Sequence, residues 1–185
     1  MPTLIDRRGR RDDLWADPAA ASGPRRDPAG DAPNSYRYLL LPLADWLTRR
    51  TELLAEIQAA GGATVARLKL GVELGPADDP SQIAEDLASL TLIAIQFPRF
   101  TDGRGYSLAV ELRRAGFAGE MRAVGEVLID QVFLMKRVGF TQFALRADQD
   151  RTLAVAALTR HSEAYQGGAD QPLPAYRRHL RPVAA

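Results

Sequence analysis

The sequence predicts an α/β fold, a mostly parallel sheet of about four or five strands with helices on both faces, either open and doubly wound or half-barrel-like. Three observations predict it. Short apolar runs alternate with longer segments in which apolar residues recur at helical spacing. Glycines stand where the helical segments stop, at Gly61-Gly62, Gly116, Gly139 and Gly167-Gly168. The helical segments are long enough to be crossovers between parallel strands, which a hairpin turn is not. So few strands fall short of a complete eight-stranded barrel.

The elements follow in order. Thr3 to Ile5 and Asp12 to Trp15 flank Arg7-Arg8-Gly9-Arg10 and predict a short ribbon turning at Gly9. Residues 16–35 carry Pro18, Pro24, Pro28 and Pro33 among Ala, Gly, Asp and Arg, the composition of a flexible connector. Residues 1–35 are thus ribbon plus Pro/Gly/Ala-rich connector. Tyr36 to Leu41 reads as a strand, and Pro42 suits the first turn of a helix bearing Leu43, Trp46, Leu47, Leu53, Leu54 and Ile57. A mixed run from Val65 to Leu74 follows, then a helix from Pro80 to Ser89 and an apolar strand from Leu92 to Phe97. The unit repeats with helix Ser107 to Ala115, strand Glu120 to Val124, helix Val127 to Val138, strand Phe143 to Leu145 and helix Thr152 to Tyr165. Residues 36–166 therefore form a single α/β domain. Residues 167–185, with Arg177, Arg178, His179 and Arg181 among prolines and no apolar periodicity, read as a disordered basic tail. Trp46, Phe133 and Met135 are expected to pack in the core, while Trp15 either covers the sheet or stays exposed as a protein contact.

Composition narrows the function. Across 185 residues the net charge is only +1, and the arginines are interspersed with as many acids, so nucleic acid is not an expected partner. The chain has no cysteine, which excludes a disulfide, a thiolate cluster ligand and a thiol nucleophile. Its opening, Met1-Pro2-Thr3-Leu4-Ile5-Asp6, lacks a signal-peptide core, and no run reaches the ~20 apolar residues that span a bilayer. A cytoplasmic protein without a membrane partner is expected. With His161 and His179 the only histidines and no compact acidic cluster, no metal site is expected.

In a parallel α/β sheet, ligands bind beyond the strand C-terminal ends. That edge gathers three loops: Phe97 to Ser107, Gly125 to Gln131 and Arg146 to Asp150. One reading makes them an anion pocket. Arg104 and Arg146 supply forked donors, Asp102, Tyr106, Ser107 and Gln131 line it, and Gly103 and Gly105 let a ligand approach the backbone and the start of the following helix. The other reading makes Asp102 or Ser107 a helix cap and pairs the arginines with Asp148, Asp150 or Glu126. Leu108 stands where a dinucleotide fingerprint needs its third glycine, and no phosphate-loop motif exists, so the sequence names no cofactor. Glu126 and Asp130, four apart, form a candidate acid pair on one helix face.

Several motifs in fixed order carry a resemblance: Phe97-Pro-Arg-Phe-Thr-Asp-Gly-Arg-Gly-Tyr-Ser107, Leu112-Arg-Arg114, Gly119-Glu-Met-Arg-Ala-Val-Gly125, Asp130-Gln-Val-Phe-Leu134, Arg137-Val-Gly-Phe140 and Phe143-Ala-Leu-Arg146. Over about Tyr36 to Gln166 the chain resembles the domain-of-unknown-function 934 family. The resemblance implies an oxidoreductase or accessory role in assimilatory sulfite reduction, with sulfite reductase as a partner, and it implies no active-site residues. Sulfite and sulfate are small oxyanions suited to arginine and helix N-terminal donors. The expected function is therefore an accessory protein or oxidoreductase of sulfite reduction that binds a small oxyanion or metabolite at the strand C-terminal edge. The alternative is a protein–protein adaptor for sulfite reductase without catalysis of its own.

Overall fold

The computed structural model describes residues 3–6, 9–10, 15, 25–26, 37–59 and 68–178. Its strands are β1 (Thr3–Asp6), β2 (Gly9–Arg10), β3 (Arg25–Arg26), β4 (Arg37–Pro42), β5 (Leu68–Leu74), β6 (Leu90–Phe97), β7 (Glu120–Gly125) and β8 (Gln142–Leu145). The helices are α1 (Leu43–Ala59), α2 (Arg104–Arg114), α3 (Val132–Val138), α4 (Arg151–Thr159) and the short α5 (Ala175–Arg178), with a 3-10 turn at Pro80–Asp86. Residues 11–14, most of the connector and residues 179–185 lie outside the described set.

One sheet runs in the order β2-β1-β8-β7-β6-β5-β4-β3. Strands β4 to β8 are parallel and stand side by side in chain order, as expected of βα units. β1 adds antiparallel to β8 with Ile5 opposite Phe143, and β2 and β3 are two-residue antiparallel edges. β1 pairs with Gly9–Arg10, so Gly9 lies in a strand rather than at the expected turn, and of the expected second strand Asp12 to Trp15 only Trp15 is described; β1 also extends the main sheet.

Strand alternation sorts the side chains between two faces. Leu39, Leu41, Val72, Leu74, Ile93, Ile95, Phe97, Met121, Ala123, Phe143 and Leu145 join one core. The same core receives Trp46 and Leu53 of α1, Leu108 and Leu112 of α2, Met135 of α3 and Leu158 of α4. Leu40, Leu92 and Ala94 point the other way and cluster with Trp15. The four long helices thus line a single face, which is the half-barrel-like form; the expectation of helices on both faces is corrected. The cause is the strand order. When each parallel strand is added on the same side of the last, right-handed crossovers all fall on one face.

Trp15 covers part of the opposite face, which carries no helix among the described residues. Its ring meets Tyr38 edge-on at 5.3 Å, and a Cβ on Gly71 would lie 2.8 Å from it. The same face carries a polar chain of three residues, in which buried Arg122 Nε donates to buried Gln142 Oε1 at 2.9 Å and Gln142 Nε2 donates to half-buried Glu120 Oε2.

Three elements differ from expectation. The segment from Pro80 forms only a 3-10 turn, capped where Asp79 accepts from Ser81 N at 2.9 Å and held where Trp46 Nε1 donates to buried Asp86 at 2.9 Å. Helix α3 begins at Val132 rather than Val127, because residues 126–131 form a turn drawn toward the β8 loop: Arg146 N donates to Val127 O at 3.1 Å and Ile129 N to Gln149 Oε1 at 3.1 Å. Helix α4 stops at Thr159 rather than Tyr165, and the chain beyond it runs as a strap against α3 as far as Arg178. Asp170, its carboxylate almost wholly buried, pairs with Arg137 at 3.0 Å and Lys136 at 3.8 Å, while Ala169 N donates to Arg137 O at 2.8 Å. A buried carboxylate needs such partners, so this pair pins the strap to the end of α3.

Candidate functional site

The C-terminal ends of β6, β7 and β8 bring together the loops expected to form the site. Asp102 sits just before α2. Its Oδ1 accepts from Arg104 N at 3.1 Å and from Arg104 Nε at 3.0 Å, and its Oδ2 accepts from Arg104 Nη2 at 2.7 Å. A carboxylate of the chain itself thus occupies the helix start that an anion would seek. The Arg104 hydrogen bonds hold the Asp102 carboxyl below the usual carboxylate range and push the guanidinium up.

Arg146 is engaged likewise. Its Nε and Nη2 donate to the two oxygens of Asp148 at 2.6 and 2.8 Å, and its Nη1 donates to Glu126 Oε2 at 2.8 Å. The Arg146 fork lowers Asp148 to a pKa of about 2, with Gln149 contributing. Glu126 is therefore an ion-pair partner in a turn, and it shares no helix face with Asp130. Arg104 and Arg146 have no acidic partner in common.

Gln131 joins two of the loops. Its Nε2 donates to Phe100 O at 2.6 Å and its Oε1 accepts from Leu128 N at 3.3 Å. Gly105 is buried against Phe97, where an added Cβ would lie 2.5 Å from the ring, whereas Gly103 has open space around it. Close packing of α2 on β6 accounts for Gly105. Tyr106 packs edge-on against Phe97 at 5.5 Å, and burial, together with the Asp130 charge, pushes its hydroxyl up. Ser107 is exposed and lines a groove of about 300 Å³ with Tyr106, Glu111 and Arg114.

Two features were not anticipated. An open cleft of about 600 Å³ runs between α3 and α4, lined by Leu128, Ile129, Asp130, Phe133, Leu134, Arg146, Gln149, Ala157, Arg160 and His161. Its signal in the sequence was the Arg160-His161 pair at the end of the last helical run. Large apolar side chains also stand exposed at the rim, Phe100 at 53 % and Leu153 at 60 %. Among the described residues no group of three His, Cys, Asp or Glu side chains could hold a metal ion, and no helix is long and apolar enough to cross a membrane.

No curated protein matches the chain. The family described as bacterial protein of unknown function (DUF934) matches residues 71–176, from within β5 through the three site loops and along the strap. The match covers more than half of the chain, which therefore belongs to the bacterial DUF934 family.

Proposed function

We propose that this chain is an accessory protein of assimilatory sulfite reduction, acting in the cytoplasm by docking to sulfite reductase through its strand C-terminal edge. One observation carries the choice of docking over anion capture: Arg104 and Arg146, the donors an anion pocket would need, are both forked onto the chain's own carboxylates. An incoming oxyanion would have to break those pairs or make do with the N–H groups they leave over. Beside exposed Arg99, what the edge leaves free is apolar, namely Phe100 and Leu153, next to loops braced by Gln131. Exposed apolar side chains on a rigid, charge-balanced rim suit a protein partner. The pathway comes from the resemblance of the Asp102 to Ser107 motif and its companions.

The test is capture of purified sulfite reductase by the full chain. Phe100→Glu with Leu153→Glu should abolish capture, whereas Arg104→Ala should leave it within a few fold. Equal capture by the doubly substituted chain refutes the docking face. Growth of a deletion strain on sulfide but not on sulfite supports the pathway, and normal growth on sulfate counts against it.

A second reading keeps the oxyanion, and with it the oxidoreductase role. Arg146 spends three of its N–H groups on Asp148 and Glu126, and a guanidinium has five. Sulfite binding by calorimetry that is lost in Arg146→Ala would favour this reading.

A further inference from the structure

We propose that the cleft between α3 and α4 is a binding site for a small organic anion with an aromatic or flat apolar body. The cleft adjoins the docking edge and shares Asp130, Arg146 and Gln149 with its loops, but its argument uses neither Phe100 nor Leu153. At about 600 Å³ the cleft has the size of pockets that enclose metabolite-sized molecules, and a bare sulfite or sulfate would fill only a small part of it.

The lining is divided along its length. Leu128, Ile129, Phe133, Leu134 and Ala157 make the walls. Phe133 is half-buried and Leu134 is 56 % exposed, so the walls offer apolar surface still in contact with water. Arg160 and His161 mark one end, where α4 stops. The Arg160 guanidinium makes no hydrogen bond or ion pair among the described residues, in contrast to Arg146. The His161 ring meets Phe133 edge-on at 4.9 Å, which joins the cationic end to the aromatic wall.

Asp130 lines the cleft with Gln149 and Arg146 from the loops that lead into α3 and α4, whereas Arg160 and His161 line it from beyond the end of α4. The unpaired Asp130 carboxylate repels an anion there and accepts from a donor. The charges therefore orient the ligand. Its anionic group faces Arg160, its ring lies on Phe133 and Leu134, and any hydroxyl or amine points to Asp130.

The probe is 8-anilinonaphthalene-1-sulfonate, an aromatic body bearing one sulfonate, titrated into the full chain and followed by fluorescence. Saturable binding at one site per chain is expected. Arg160→Ala should weaken it about tenfold, the worth of one charge-assisted contact. Leu134→Glu, at a position exposed enough to leave the fold intact, should weaken it at least as much by placing a negative charge on the wall. Millimolar sulfate should displace little of the probe. Absence of saturable binding, unchanged affinity in both variants, or full displacement by sulfate overturns the proposal. None of these outcomes touches capture of sulfite reductase at the rim, so the two readings fail separately.

Discussion

Arg113 of α2 donates twice to the carbonyl of Gly139, from Nε at 3.2 Å and from Nη2 at 2.7 Å. Its Nη1 reaches Phe117 O at 2.6 Å and Gly119 O at 2.9 Å. One guanidinium therefore ties the end of α2, the approach to β7 and the left-handed cap of α3, where Gly139 has φ 113°. Arg113→Ala leaves three carbonyls short of a donor in a half-buried place and should cost about 2–4 kcal/mol in chemical denaturation. Arg113→Lys should recover only part of that, because an ammonium cannot fork to all three. A loss below about 0.5 kcal/mol for Arg113→Ala would show that water replaces the side chain.

The two glycines of the Asp102 to Ser107 motif should behave oppositely. Gly103→Ala meets open space at an ordinary helical φ of −81° and should be neutral or stabilising by about 0.5 kcal/mol. Gly105→Ala drives a methyl group into the buried Phe97 ring and should cost about 1–3 kcal/mol. Thermal unfolding of the pair decides it. Equal effects would mean that Phe97 can move aside.

Asp148 supplies a pH test. Its folded pKa of about 2 lies below the unfolded value of about 3.9, so its contribution is complete above roughly pH 4 and is lost as pH falls toward 2. The side chain is exposed, so the readout is the carboxyl titration by carbon NMR rather than global stability. Arg146→Ala should bring Asp148 back near about 3.9. An unmoved titration would assign the depression to Gln149 and the turn instead.

Trp15 and Gly71 test the face opposite the helices. Gly71→Val leaves no room for the Trp15 ring and should expel it, shifting tryptophan emission to the red and opening it to quenching by iodide while Trp46 stays buried. Trp15→Ala should cost about 3–5 kcal/mol, the usual loss for a buried Trp. Unchanged emission in Gly71→Val would mean that the sheet bends to keep the ring.

The parallel strands were legible because their apolar runs are bounded by glycine and separated by helical periods, as between Leu92–Phe97 and Glu120–Val124. The placement of the helices was not, because strand order depends on which edge each new strand joins, and no local pattern records that. Helix α3 is shorter than its period suggests for a related reason: Val127 and Leu128 fit a helical period, but Val127 O accepts from Arg146 N and Ile129 N donates to the Gln149 side chain, some twenty residues on, and this holds the segment in a turn. The site was legible as a gathering of loops. Its arginines were read both as anion donors and as ion-pair partners, and only the geometry shows Asp102 and Asp148 already in their forks. The strap leaves no local signal in the sequence, since its anchor is one aspartate, Asp170, in a segment without periodicity.

Among the pairings of the sheet, β1 on β8 stands apart. Each neighbouring pair from β4 to β8 joins consecutive strands, whereas Ile5 meets Phe143 across almost the whole described chain. Closing so long a loop is entropically the slowest step, so the β4–β8 array can assemble first and β1 arrive last. Until it does, β8 presents bare N–H and C=O groups along Gln142–Leu145, and two nascent molecules could pair there. The first strand is thus a latch on the assembled sheet, and its amides should exchange with solvent sooner than those of β6.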